Sequence, residues 1–131
     1  MAENKLLDAS VIIGTFVEGN KPAHMIVTGK GKNHIPRFAL IEVANGVRYA
    51  NKSEFVFEAI LKFLKDKKFI EIDFEENDLI KASEIALALN TTVYDALYHA
   101  MAIRLNHTFY TLDAKYYART KQLGNIVLLG Q

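Results

Sequence analysis

At 131 residues, half of them hydrophobic and 24% charged, the chain has the size and balance of one globular domain that needs neither a disulfide nor a metal to fold. Its 16 Lys and Arg against 15 Asp and Glu leave a net charge of +1, so no whole-protein field marks a nucleic-acid or membrane partner, and an anionic substrate has to be held by a local patch or a metal. The absence of cysteine excludes a disulfide framework, a thiolate metal site and a cysteine nucleophile, and agrees with a reducing compartment. Met1 to Lys5 carries no basic leader pattern and no apolar run reaches membrane-spanning length, so a soluble, cytoplasmic protein is expected.

The first apolar run, Leu6-Leu7, stops at Asp8. Asp8 and Ser10 are helix-starting residues, and Val11, Ile12 and Phe16 recur at helical spacing, so a buried strand is expected to turn into a helix at Asp8. That turn places a carboxylate at the carboxyl end of a central strand, the edge where open α/β sheets bind ligands. Glu18 to Pro22 reads as a turn, and Ala23 to Thr28 as a short helix ended by Gly29. Gly29-Lys30-Gly31-Lys32-Asn33 lacks the glycine spacing and the Lys-Ser/Thr ending of a phosphate loop and is expected to be a basic surface turn. His34 to Phe38 predicts a short strand that Pro36 should push to a sheet edge or to its own first residues.

Ala39 to Tyr49 is helical in pattern, with Leu40, Ile41, Val43, Ala44 and Val47 apolar and Glu42 on the other side, in line with Asn45, Gly46 and Tyr49. Ser53-Glu54 starts another helix, apolar at Phe55, Val56, Ala59, Ile60, Phe63 and Leu64, which runs to Lys65-Asp66-Lys67-Lys68. Phe69 to Phe74 alternates like a strand with one solvated face, and Glu76 to Leu89 is an amphipathic helix stopped at Asn90. Thr91 or Thr92 caps a further helix through Leu105, with Asn106 as its C-cap. Thr108 to Leu112 is a strand ending at Asp113; Ala114 to Leu123 is the next helix, closed by Gly124; Ile126 to Leu129 is the last strand. Strands alternating with helices predict a three-layer α/β sandwich in one domain over residues 1–131, with a mostly parallel sheet of four to five strands and helices on both faces.

Four carboxylates fall where such a fold gathers them: Asp8, Glu42, Asp95 and Asp113. Singly, each has an ordinary explanation. Asp8 and Asp113 follow strands and precede helices, as N-caps do. Asp95 lies three residues after Thr92, as in a capping box with the shorter acid. Glu42 interrupts Leu40-Ile41 and Val43-Ala44 but could be an acid on a solvated helix face. Jointly they say more, because all four lie at or near the sheet edge that carries the carboxyl ends of the strands. Crowded carboxylates repel, and a hard divalent ion, Mg²⁺ or Mn²⁺, is the simplest relief for an oxygen-only cluster. Two such ions about 3.5 to 4 Å apart ionise a water and stabilise the leaving oxygen of a phosphodiester, which points to metal-assisted hydrolysis.

At these residues the sequence resembles a family. LLDAS near the amino terminus, LIEVANGV a third of the way along, TTVYDALYHAMA two-thirds along and FYTLD before the last helix are similar, in order and spacing, to the four acidic motifs of PIN-domain ribonucleases. Within that family the chain resembles the VapC-like toxins of type II toxin–antitoxin pairs. The resemblance implies a PIN-like fold, Mg²⁺- or Mn²⁺-dependent hydrolysis of RNA, a cognate antitoxin and a homodimer. It implies that Asp8, Glu42, Asp95 and Asp113 are the metal-binding catalytic acids. Ser10, two after the first acid, and Thr111, two before the last, are similar to residues that orient a carboxylate or a water. Some members carry a further acid after the fourth; here Asp113 is followed by Ala114-Lys115-Tyr116-Tyr117, which leaves a second ion weakly held or brought by the substrate.

Lys115 and Arg119, four apart on the helix after Asp113, are candidates for RNA phosphates against the alternative of a solvated basic face. Of the four histidines, His24, His34 and His107 are expected at the surface, and His99, four after Asp95, in packing or behind the site. The tyrosines at 94, 98, 110, 116 and 117 are expected to pack rather than to stack bases, with Tyr49 the exception on the Glu42 face. Two rival functions are a PIN-fold RNA-processing or RNA-binding factor outside toxin–antitoxin systems and a phosphoacceptor receiver domain. The receiver fits poorly, lacking paired acids after the first strand and a lysine ending a late one.

Overall fold

A computed structural model of the protein describes residues 3–130. The first strand, β1 (Asn4–Leu7), lies at the centre of a five-stranded parallel sheet. On one side of it are β2 (Lys32–Pro36) and β3 (Ile70–Ile72), on the other β4 (Thr108–Thr111) and β5 (Ile126–Leu128), giving the order β3-β2-β1-β4-β5. Leu6 pairs with His34 and with Phe109, so these three side chains share one face. The helices are α1 (Ala9–Phe16), α2 (Lys21–Thr28), α3 (Ala39–Tyr49), α4 (Glu54–Asp66), α5 (Glu76–Leu89), α6 (Val93–Leu105) and α7 (Ala114–Thr120). A 3-10 turn over Lys121–Leu123 ends the last of them.

The expected α/β sandwich is therefore present, and the differences are local. The second helix begins at Lys21 rather than Ala23, because the Asn20 side chain accepts the Ala23 amide at 2.9 Å and Pro22 is tolerated in the first turn, where no intrahelical partner is required. Lys32 and Asn33, read as part of a surface turn, belong to β2. Pro36 neither sits on an edge strand nor starts one. It is the last residue of an interior strand, after the final β1–β2 pair of Leu6 with His34, while the next amide, Arg37, bonds Ile72 of β3 at 2.9 Å. Amides alternate sides along a strand, so the N–H that Pro36 lacks would face β1 beyond its ladder. The strand expected over Phe69 to Phe74 shortens to three residues on an edge, a usual defence against edge pairing.

Leu6, Leu7, Ile35 and Phe109 of the central strands and Ile12 of α1 are fully buried. Each contributes roughly 1.5–3 kcal/mol of transfer free energy. Phe109 packs on Tyr98 and His99 of α6, with the Tyr98 ring nearly parallel at 5.8 Å. On the opposite face Lys5 is buried and its Nζ donates to the Ile26 carbonyl of α2 at 2.7 Å, with burial pulling the ammonium pKa down. Asp78 of α5 is likewise buried and accepts both Nε and Nη2 of Arg104 on α6, at 2.8 and 3.0 Å. This two-pronged pair ties the two helices together.

The expectation that His34 and His107 lie at the surface is not met. Both are buried, with ring centroids 4.1 Å apart, His34 Nδ1 against the Lys5 carbonyl and His107 Nδ1 without a partner. The register explains it: His34 shares the inner face of Leu6 and Phe109, and His107 precedes Phe109 by two. Burial lowers the His107 pKa, helped by the facing His34 and Arg104. A lowered pKa means that the unfolded chain takes up a proton more readily, so this residue's contribution is intact above the unfolded value of about 6.5 and is lost as the pH falls below it. Relative to His107→Gln, the parent should therefore lose stability between pH 7.5 and 5.5 in urea unfolding followed by circular dichroism. A constant difference across that range would contradict the assignment.

Candidate active site

The site is assembled from the two strand ends that lie side by side. Leu7 of β1 pairs with Tyr110 of β4, and each chain turns into a helix just beyond. From β1 the chain passes to β2 on one side, while β4 leads to β5 on the other. The crevice between them is the switch point where parallel α/β sheets place ligands.

Asp8 caps α1, its Oδ1 accepting the Val11 amide at 3.2 Å and the Ser10 hydroxyl. Its Oδ2 accepts the Thr111 hydroxyl at 2.7 Å. Each hydroxyl also receives an amide from the turn after β4: Leu112 donates to Ser10 Oγ at 3.2 Å and Asp113 to Thr111 Oγ1 at 3.1 Å. Ser10 and Thr111 thus stitch the two strand ends together through one buried carboxylate. Burial pushes the Asp8 pKa up to about 6, against the downward pull of those hydrogen bonds and with a further upward push from the charge of Glu42.

Asp113 caps α7 through the Tyr116 amide at 2.9 Å and is exposed. Asp95 is half-buried in the first turn of α6, where its amide donates to the Thr92 hydroxyl at 3.1 Å. Its carboxylate lines a recess of about 10 Å³ together with Asp8, Thr111, Asp113, Tyr98, Phe109 and Tyr116, room for about one water. Asp95, Asp113 and Tyr116 also line an open cleft of about 250 Å³ together with Asn90, Thr91 and Thr92 on the turn before α6 and Lys115 and Arg119 on α7. The Arg119 guanidinium donates to the Asn90 carbonyl and joins α7 to the turn before α6.

Glu42 does not line the recess but reaches it indirectly, since the Tyr98 hydroxyl donates to its Oε2 at 2.7 Å. α3 can lie close enough for this because a Cβ on Gly46, one turn after Glu42, would stand 2.5 Å from Ile13 of α1. Tyr49, read on the Glu42 face, is 83% exposed. Burial raises the pKa of Glu42 and of Asp95, and charge repulsion adds to both: Asp95 acts on Glu42 and Asp113 acts on Asp95. The four acids thus form a chain in which each feels the next. Among the described residues no three acids or histidines stand within chelating reach of one another as placed. Their oxygen-only donor set has the chemistry of a hard divalent ion such as Mg²⁺ or Mn²⁺.

His99 stands behind the acids. Its Nε2 lies 2.7 Å from the Gly124 carbonyl and must carry the proton, which leaves Nδ1 to accept the Tyr116 hydroxyl at 2.9 Å. Burial lowers its pKa. It holds Tyr116 in the recess wall and is not itself in the opening. Sequence spacing passed over Tyr98 and Tyr116 as packing residues; the available signal was that Tyr98 follows Asp95 by three, one helical turn on the same face.

The PIN domain family model matches residues 5–122, nine-tenths of the chain and a span that contains all four acids. The chain belongs to the PIN domain family. Solved structures resemble this PIN domain along nearly its whole length. A toxin–antitoxin complex from Klebsiella pneumoniae superposes with a TM-score of 0.71 at 17% identity, covering 94% of this chain and 95% of that one. VapBC2 from Rickettsia felis, bound to a DNA fragment from its promoter, gives 0.69 at 18% identity, covering 95% and 96%. VapC20 of Mycobacterium tuberculosis, described as a sarcin-ricin loop cleaving toxin, gives 0.69 at 12% identity, covering 87% and 93%. No curated protein matches the sequence.

Holding Asp8 ionised in this PIN domain costs stability, because its folded pKa of about 6 lies above the ordinary 3.8. Asp8→Asn keeps the cap oxygen and removes the charge. In chelator at pH 7.5 it should melt about 2 to 5 °C above the parent, a gain of roughly 1 kcal/mol or more. Calorimetry showing a lower melting temperature would contradict the electrostatic reading.

Proposed function

We propose that this protein is an endoribonuclease that hydrolyses RNA phosphodiester bonds with Mg²⁺ or Mn²⁺, and that it is the toxin of a toxin–antitoxin pair. The observation that carries the reading is the recess at the β1–β4 switch point, where Asp8, Asp95 and Asp113 meet and Glu42 is tied in through Tyr98. Asp8, Glu42, Asp95 and Asp113 are assigned as the acids that hold the ion. A divalent ion bound there supplies a water of lowered pKa and positive charge against the phosphate.

The chain's own residues do the positioning. Ser10 and Thr111 fix both oxygens of Asp8, so its lone pairs are aimed before any ion arrives. The α7 amide of Tyr116 fixes one oxygen of Asp113. Lys115 and Arg119, which line the same cleft as Asp95, are assigned to the phosphates of a single strand, a sequence-independent contact. Their positive charge lies in the same cleft as Asp95 and Asp113 and offsets those acids for an approaching polyanion.

The toxin assignment is supported by family membership and by the toxin–antitoxin complexes among the structures that share the fold. It entails a cognate antitoxin and a cytoplasmic site of action; among the described residues no helix is long and apolar enough to cross a membrane. A homodimer is supported by apolar side chains left on the surface of α4 and α5: Phe55, Leu79, Ile80 and Leu87, the last 88% exposed.

On a mixed pool of single-stranded RNA, cleavage should require Mg²⁺ or Mn²⁺ and stop with chelator. Asp95→Asn should lower the rate by about 100-fold or more. Cleavage by Asp95→Asn at the parent rate would overturn the acid assignment. Light scattering at micromolar concentration should give twice the 14.8 kDa chain mass; the mass of one chain would remove the dimer.

A further inference from the structure

Tyr98 is a buried hydroxyl of the site that takes no chemical step in the proposed reaction. Its side chain is 2% exposed, its ring is wedged between Phe38 at 4.8 Å and Phe109 at 5.8 Å, and its oxygen lies 2.7 Å from Glu42 Oε2. The hydroxyl donates its proton to Glu42. Burial and the neighbouring Glu42 charge keep the phenol protonated.

Among the described residues the Glu42 carboxylate has only this hydrogen bond, whereas that of Asp8 has three, and Glu42 stands outside the recess. A glutamate side chain has three rotatable bonds and would otherwise extend toward water, away from the repulsion of Asp8 and Asp95. The Tyr98 ring cannot follow it, being packed on two aromatic faces.

We propose that Tyr98 is a positioning residue for the divalent ion: by occupying Oε2 of Glu42 it holds the carboxylate beside Asp8 and Asp95 and leaves Oε1 as a single donor to the ion. This inference rests on the metal-dependent reading of the site and specifies how one of its ligands is presented. Tyr98→Phe is the direct test, since it removes the hydroxyl and keeps the ring packing. Mn²⁺ binding to the RNA-free protein, measured by titration calorimetry, should weaken about tenfold, the value of one hydrogen bond to a charged group. The kcat for RNA at saturating Mn²⁺ should stay within about threefold of the parent, so the loss appears in the Mn²⁺ requirement and not in turnover. In Glu42→Gln the same change at Tyr98 should have no further effect on Mn²⁺ affinity, because the two act as a unit.

If Tyr98→Phe binds Mn²⁺ as tightly as the parent, or if its loss adds fully to that of Glu42→Gln, the positioning role is wrong while the nuclease site stands. If the parent itself binds no Mn²⁺, the metal-dependent reading falls and this inference with it.

Discussion

The hydrogen bond from Thr111 to Asp8 spans 103 residues of sequence and about one strand spacing of structure. Everything at the site depends on the adjacency that makes it possible. β1 and β4 are neighbours in a sheet whose connections leave in opposite directions, so their carboxyl ends flank a crevice. Ser10 and Thr111 use that gap symmetrically: each hydroxyl donates to Asp8 and accepts an amide from the turn after β4. A change in the β1–β4 register by one residue would turn Thr111 to the other face and leave a buried carboxylate without its partner.

The same arrangement sets the electrostatic character of the site. Asp8 is buried among strand ends and within reach of Glu42, Glu42 feels Asp95, and Asp95 feels Asp113, so each raised pKa records a proton the fold would rather keep. Such a chain stores unfavourable energy in the free protein, and hydrogen bonds from hydroxyls and helix amides only partly offset it. Stability and site chemistry pull against each other here, as at many functional sites. The compensation lies elsewhere: Leu6, Leu7, Ile35 and Phe109 in the sheet, and the Asp78–Arg104 pair that fastens α5 to α6 and thereby fixes the helix carrying Asp95 and Tyr98.

α6 has almost no polar side. Residues 96–102 are all buried, because one side lies on the sheet and another on α5. This is why its aromatic and histidine side chains could be read only as packing from their spacing, although Tyr98 and His99, like Tyr116 of α7, each end in a hydrogen bond that supports the site. Helical periodicity tells which residues are inside. It is silent on whether a buried polar tip finds a carboxylate, a carbonyl or nothing.

What the sequence by itself determined was the local grammar: apolar runs closed by Asp8 and Asp113, Thr92 and Asn106 at the ends of α6, and the alternation of strands and helices that makes a parallel sheet. These are short-range effects, in which a side chain within three residues satisfies a backbone amide. The positions of the four acids along the chain, and with them the family resemblance, were legible for the same reason. The order of the strands was not, and it decided the rest. It put interior Pro36 beyond a ladder, buried His34 against His107 and brought Tyr98 to Glu42 across 56 residues. Those outcomes depend on which elements become neighbours, a property of the whole folded sheet that no window of local sequence contains.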